Sequence, residues 1–151
     1  MCEIKINYDS ALLQQRKLIQ YAMRTSMYFS LLVRLERPYR HEPPIYRYCE
    51  KLHPFEVRRF YEEKDRPVQI LSRRKHQIMI QYRCCRTSKD FLLRISDLLM
   101  TGSDETLEDI CFYRTKEPWL VSITHEKLMF LFGATDDDIA FLNQNEIVYR
   151  R

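Results

Sequence analysis

Glycine is scarce in this chain of 151 residues, which contains only Gly102 and Gly133. Loops that cradle phosphates or dinucleotides need several glycines, because their backbone N–H groups must approach the anion closely. Neither the GxGxxG nor the GxxxxGK[ST] pattern is present. The sequence therefore argues against the common ATP-, GTP- and NAD-dependent enzymes, and we expect no cofactor.

Long hydrophobic runs are also missing. The longest, residues 27–33, is interrupted by Ser30 and followed by Arg34, whereas a membrane-spanning helix needs about 18 apolar residues. The N-terminus shows no charged-then-apolar signal pattern. Five cysteines, an odd number at irregular spacing, do not indicate a disulfide framework and are typical of a reducing compartment. We expect a cytoplasmic protein that does not enter a membrane.

Metal-ligand motifs are absent as well. The chain contains no CxxC, HxxxH or HExxH pattern, and Met129 stands where a second histidine would have to follow His125 and Glu126. A free cysteine in an apolar row behaves as a small hydrophobic residue. We therefore expect no metal site.

The apolar residues that are present predict alternating helices and strands. Helical spacing occurs in four segments: 10–24, with Ser10 as its cap; 54 to about 65; 87–102, with Thr87 or Ser88 as its cap; and 136–142, with Thr135 as its cap. Period-two alternation, which is typical of strands, occurs in six: 29–35, 68–71, 76–85, 108–114, 119–124 and 127–132, with a last edge strand at 147–149. Two of these runs, 68–71 and 76–85, predict a hairpin, and the three runs 108–114, 119–124 and 127–132 predict a meander.

These elements predict a single α+β domain over residues 1–151. Strands in antiparallel groups with helices between them favour a mostly antiparallel sheet of about five to seven strands, with helices packed on one face. An open apolar face of that sheet would indicate a homodimer or a bound partner.

Charge is divided unequally along the chain. Residues 1–90 carry 19 Lys and Arg against 10 Asp and Glu, a net +9, whereas residues 91–151 carry 6 against 11, a net −5. Arginine and tyrosine alternate in the proline-containing segment 37–48, and further arginines follow. The predicted partner-binding residues are Arg37, Tyr39, Arg40, Tyr46, Arg47, Tyr48, Arg73 and Arg74. Such residues are enriched at protein–protein hot spots, so we expect a non-enzymatic module that binds another protein, of acidic character.

Two alternatives remain open at this point. Arginine neutralises phosphate and tyrosine stacks on unpaired bases, so the same surface is compatible with single-stranded nucleic acid. Cys111 and His125 lie on or beside adjacent predicted strands, and Asp109 or Glu126 is placed to orient the histidine, which is the composition of a small hydrolase or transferase site. The plainer interpretation has Cys111 as a buried strand residue, so binding is favoured over catalysis.

Overall fold

An antiparallel sheet of eight strands organises the chain in our computed structural model, which describes residues 3–34, 51–67, 77–101 and 107–151. The strands are β1 (Glu3–Ile6), β2 (Tyr28–Arg34), β3 (Glu56–Phe60), β4 (Gln77–Arg83), β5 (Leu107–Tyr113), β6 (Pro118–Ile123), β7 (Leu128–Phe132) and β8 (Tyr149–Arg150). The α-helices are α1 (Tyr8–Leu13), α2 (Gln15–Thr25), α3 (Arg86–Thr101) and α4 (Asp136–Gln144). Among these described helices, none is long and apolar enough to cross a membrane.

The strands lie in the order β3-β4-β2-β5-β6-β7-β1-β8, and every neighbouring pair is antiparallel. The predicted meander is confirmed: β5, β6 and β7 are consecutive neighbours, and Leu120 of β6 lies opposite Leu131 of β7. On the other side of β7, Ile4 of β1 pairs with the same Leu131. The first and the last strand of the described chain are therefore neighbours at one end of the sheet.

The helices cover one face of this sheet. The main core joins inward side chains of the strands, such as Phe29, Ile80 and Leu131, with helix residues such as Ile19 and Leu92. Two smaller clusters on the opposite face consist of residues on strands, among them Cys111, Tyr113, Leu32 and Met79. This separation confirms the α+β class with helices on one face.

The segment that begins at Pro54 is not the predicted helix. A single 3-10 turn, His53–Phe55, leads directly into β3. This strand pairs with β4, with Phe60 opposite Met79, and it buries Phe60 against Met79 and Leu32. The backbone edge of β4 and this apolar contact outweigh the local helical spacing, because tertiary pairing overrides weak propensity. The predicted hairpin arm at 68–71 lies outside the described residues, and β4 has β2 and β3 as its neighbours.

The predicted first helix is two helices with a break at Gln14, where φ is −111° and ψ is 20°. Its cap is Asn7, whose side-chain oxygen accepts the N–H of Ser10 at 2.9 Å. The Ser10 hydroxyl instead accepts the backbone N–H of Val148 at 3.0 Å, which attaches α1 to the segment before β8. The remaining helix predictions are confirmed, with Thr135 forming a capping box at the start of α4.

Candidate functional site

The predicted partner-binding residues lie outside the described residues. They are Arg37, Tyr39, Arg40, Tyr46, Arg47, Tyr48, Arg73 and Arg74. Their role in binding therefore stays a prediction. The described residues contain a different basic site.

This site is a cleft of about 660 Å³ between α2, the start of α3 and the end of α4. Four cationic side chains line it: Lys17, Arg24, Arg86 and Lys89. The other lining residues are Gln20, Tyr21, Met23, Cys85, Phe141 and Asn145. None of the described lining residues is acidic, so the cleft concentrates positive charge and attracts anions. We call it the basic cleft.

Helix α2 supplies one wall of the basic cleft. Lys17, Tyr21 and Arg24 recur at i, i+4 and i+7, which places them on the same face of the helix. Tyr21 is buried and stacks on Phe141 of α4, with ring centroids 4.0 Å apart and planes inclined by 11°. The Arg24 guanidinium lies 5.5 Å from the Tyr21 ring centroid. The Arg24 cation therefore lies over the Tyr21 ring of this aromatic floor, and this is a favourable cation–π arrangement.

A buried ion pair fixes the position of Tyr21. The Tyr21 hydroxyl donates to Asp138 Oδ1 at 2.7 Å, and Asp138 is 1% exposed. Arg114 binds both carboxylate oxygens, with Nη1 at 2.8 Å from Oδ2 and Nη2 at 2.6 Å from Oδ1. The indole N–H of Trp119 and the backbone N–H of Thr135 donate to Oδ2 at 3.2 and 2.8 Å. One carboxylate thus accepts five hydrogen bonds and ties α2, α4 and the β5–β6 hairpin together.

The same network sets two pKa values. Burial alone would raise the pKa of Asp138, but hydrogen bonds from Arg114, Thr135 and Tyr21 outweigh it, and the pKa lies well below its usual range. Burial and the Asp138 carboxylate raise the pKa of Tyr21 to about 12. Both groups therefore keep one protonation state near neutral pH, and their role is to hold the floor of the cleft rather than to exchange protons.

Cys85 stands at the point where α3 begins. Its carbonyl accepts the N–H of Lys89 at 2.9 Å, the first hydrogen bond of the helix, which makes Cys85 the cap in place of the predicted Thr87 or Ser88. Ser88 is fully buried, and its hydroxyl accepts the N–H of Cys85 at 2.9 Å and lies 3.4 Å from Sγ. The half-buried Cys85 thiol therefore lies beside the N–H groups of the first helical turn.

The pKa of Cys85 is lowered by this setting. Burial would raise it, but hydrogen bonds from the Ser88 hydroxyl and from the backbone N–H groups of Ser88 and Thr87 act against burial, together with the charge of Arg83. Helix N-termini and neighbouring cations are the settings in which protein thiols ionise most readily. Cys84 is the opposite case, because burial and its neighbour Cys85 raise its pKa to about 12.

The alternative site at Cys111 and His125 has different properties. Cys111 is fully buried on β5, and burial and the charge of Asp109 raise its pKa to about 12. A nucleophilic cysteine needs an accessible thiolate, which this position does not offer. His125 is exposed and faces Glu126, with Nε2 3.7 Å from Oε1. Asp109 is engaged elsewhere, since its Oδ1 accepts the N–H of Thr124 at 2.7 Å.

Known proteins give no guide to the role of the site. No protein family, no curated protein and no solved structure shows a significant similarity to this chain. The interpretation of the basic cleft therefore rests on its own geometry and charge.

Part of the basic cleft has a signal in the sequence. The i, i+4, i+7 spacing of Lys17, Tyr21 and Arg24 is visible on a helix that was predicted. The contribution of Cys85 and Lys89 to the cleft is not visible in the sequence. A long stretch of chain separates α2 from α3, and the two helices meet only because both pack on the sheet. A pattern in one segment carries no information on which distant segment will lie opposite.

Proposed function

We propose that this protein is a non-enzymatic binding module for an acidic protein partner, with the basic cleft as the described part of its recognition surface. The observation that carries the proposal is the set of four cations, Lys17, Arg24, Arg86 and Lys89, around one concave site without an acidic lining residue among those described. Positive concave surfaces raise the association rate of acidic partners by long-range attraction.

The four cations are available to a partner. Within the described parts of the chain, none of them forms an ion pair with a carboxylate, although α4 begins with three aspartates. Asp138, the aspartate closest to the floor residue Tyr21, is neutralised by Arg114. Among the described residues, the acidic C-terminal part of the chain thus supplies no ion-pair partner to these cations.

The ring contacts favour a protein over single-stranded nucleic acid. Nucleic-acid binders without sequence preference stack bases on exposed aromatic faces. In the basic cleft, Tyr21 and Phe141 stack on each other, and Arg24 lies over Tyr21. Outside it, Arg114 covers the Trp119 ring at 3.8 Å from the centroid. These aromatic faces are occupied, while the cations are exposed or half-buried and suit carboxylates.

Fluorescence anisotropy with two short labelled probes tests the proposal. The probes are a peptide rich in glutamate and tyrosine, and a single-stranded DNA of matched charge. We expect the peptide to bind more tightly, with an affinity that falls as salt is added. Replacing Arg24→Glu and Lys89→Glu together should weaken peptide binding by about tenfold or more, mainly through slower association.

The matched control reverses the same number of charges outside the cleft, at Lys127→Glu and Arg150→Glu. Both residues are exposed and neither lines the basic cleft. If the control weakens peptide binding as much as the cleft variant does, the net charge of the protein attracts the peptide and the cleft has no specific role. Tighter binding of the DNA than of the peptide would contradict the proposal and indicate that the cleft recognises nucleic acid.

A further inference from the structure

We infer that Cys85 forms a mixed disulfide with a small anionic thiol, by exchange with the disulfide form of that thiol. The ligand has the size of a short peptide, and the basic cleft binds its carboxylates near Cys85. This inference concerns covalent chemistry on a small ligand and does not depend on the acidic protein partner. It rests on a cavity, on the four cationic residues that line it and on Cys85, which lines it as well.

The cavity has the size and polarity for such a ligand. Its volume of about 660 Å³ lies within the range of roughly 300–1,000 Å³ that is typical of small-molecule sites. The cations that line the cavity come from two helices, Lys17 and Arg24 from α2 and Arg86 and Lys89 from α3. A ligand with two carboxylates can thus engage both helices while its sulfur reaches Cys85.

The Cys85 sulfur is prepared for attack on a disulfide. Cys85 is half-buried and lines the cleft, and the first N–H groups of α3 stabilise its thiolate. The other described cysteines are poor competitors, because Cys84 and Cys111 have raised pKa values and Cys111 is fully buried. Cys2 and Cys49 lie outside the described residues.

The reaction is a thiol–disulfide exchange in which the ligand's disulfide is the oxidant. The Cys85 thiolate attacks one sulfur of R–S–S–R, so that a Cys85–S–S–R bond forms while the original S–S bond breaks. The second sulfur leaves as R–S⁻ with the electron pair and takes up a proton from water. The Cys85 sulfur is oxidised and the leaving sulfur is reduced, so no further reactant is needed.

Three disulfides of different charge provide the experiment: oxidised glutathione, which is anionic, bis(2-hydroxyethyl) disulfide, which is neutral, and cystamine, which is cationic. Intact-mass spectrometry follows adduct formation on the full chain, and each rate is divided by the rate of a small neutral thiol with the same reagent. Cys2 and Cys49, which lie outside the described residues, are replaced by Ser in every sample. We then expect a fast adduct that is absent in Cys85→Ser and present in Cys84→Ser. The normalised rate should be at least about tenfold higher for the anionic than for the neutral reagent, by electrostatic attraction.

Charge variants separate the role of the cleft from that of the sulfur. In the variant Arg24→Glu with Lys89→Glu, the normalised rate with the anionic reagent should fall to the rate with the neutral reagent. In the variant Lys127→Glu with Arg150→Glu, the anionic reagent should still react faster than the neutral one. Circular dichroism establishes that each variant is folded. Equal normalised rates for the three reagents in the protein without charge substitutions, or a fast adduct that survives in Cys85→Ser, would overturn the inference. Loss of peptide binding alone would not affect it.

Discussion

The Asp138 carboxylate offers the sharpest test of how this fold is held together. Replacing Asp138→Asn keeps the side-chain shape but removes the negative charge that Arg114 binds with two hydrogen bonds. The amide nitrogen also replaces one acceptor oxygen, either Oδ1, which accepts from the Tyr21 hydroxyl, or Oδ2, which accepts from the Trp119 indole and the Thr135 backbone. The substitution therefore leaves Arg114 without its counter-ion and creates a conflict between donors.

The expected cost follows from the burial of the pair. Removing one partner of a buried ion pair destabilises a protein by about 3–5 kcal/mol. The Arg114 side chain is 23% exposed, so water solvates part of its charge, and we expect about 3 kcal/mol. Asp137→Asn is the matched control, because Asp137 is an exposed neighbour in the same first turn of α4. Asp137→Asn removes only the interaction of this carboxylate with the helix dipole, which contributes about 0.3–1 kcal/mol.

The pH dependence gives a second, independent readout. Folding depresses the pKa of Asp138, so its stabilising effect is complete above the unfolded-state pKa of about 3.9 and is lost as the pH falls towards the folded-state value. The stability difference between the unmodified protein and Asp138→Asn should therefore shrink below about pH 4, by at most about 1.4 kcal/mol per pH unit. Urea denaturation at several pH values measures it. A difference that equals that of Asp137→Asn, or one that does not change with pH, would refute the reasoning.

Two further predictions concern the cysteines. Ser88→Ala should raise the pKa of Cys85 and slow its thiol labelling near neutral pH, because the variant removes the hydroxyl that lies 3.4 Å from Sγ; an unchanged pH profile of labelling would contradict this role. Cys111 should resist thiol reagents in the native protein and react only after denaturation, since it is fully buried; native labelling of Cys111 at the rate of Cys85 would contradict its placement.

The elements with a strong pattern over a long segment could be predicted from the sequence. Helix α3 and the meander of β5, β6 and β7 were predicted within one or two residues of their bounds, because each repeats its apolar spacing several times. Thr135 was identified as a cap because a hydroxyl followed by three aspartates matches the start of a helix.

Short segments that depend on distant partners could not be predicted. Strand β3 has only five residues and takes its conformation from pairing with β4. Strand β1 is shorter still, and its place between β7 and β8 is decided at the opposite end of the chain. For the same reason the sequence identified Asp138 only as a helix-start residue and did not reveal its contacts with Tyr21, Arg114 and Trp119.

The position of β1 has a consequence for how the protein folds while it is being synthesised. Ile4 and Ile6 are buried in the finished sheet, but both neighbours of β1 are synthesised last among the described strands. These two isoleucines therefore lack their partner strands while nearly all of the chain is made. Pairing between such remote segments is slow to form, so the closure of the sheet around β1 is expected to be a late event in the acquisition of the native state.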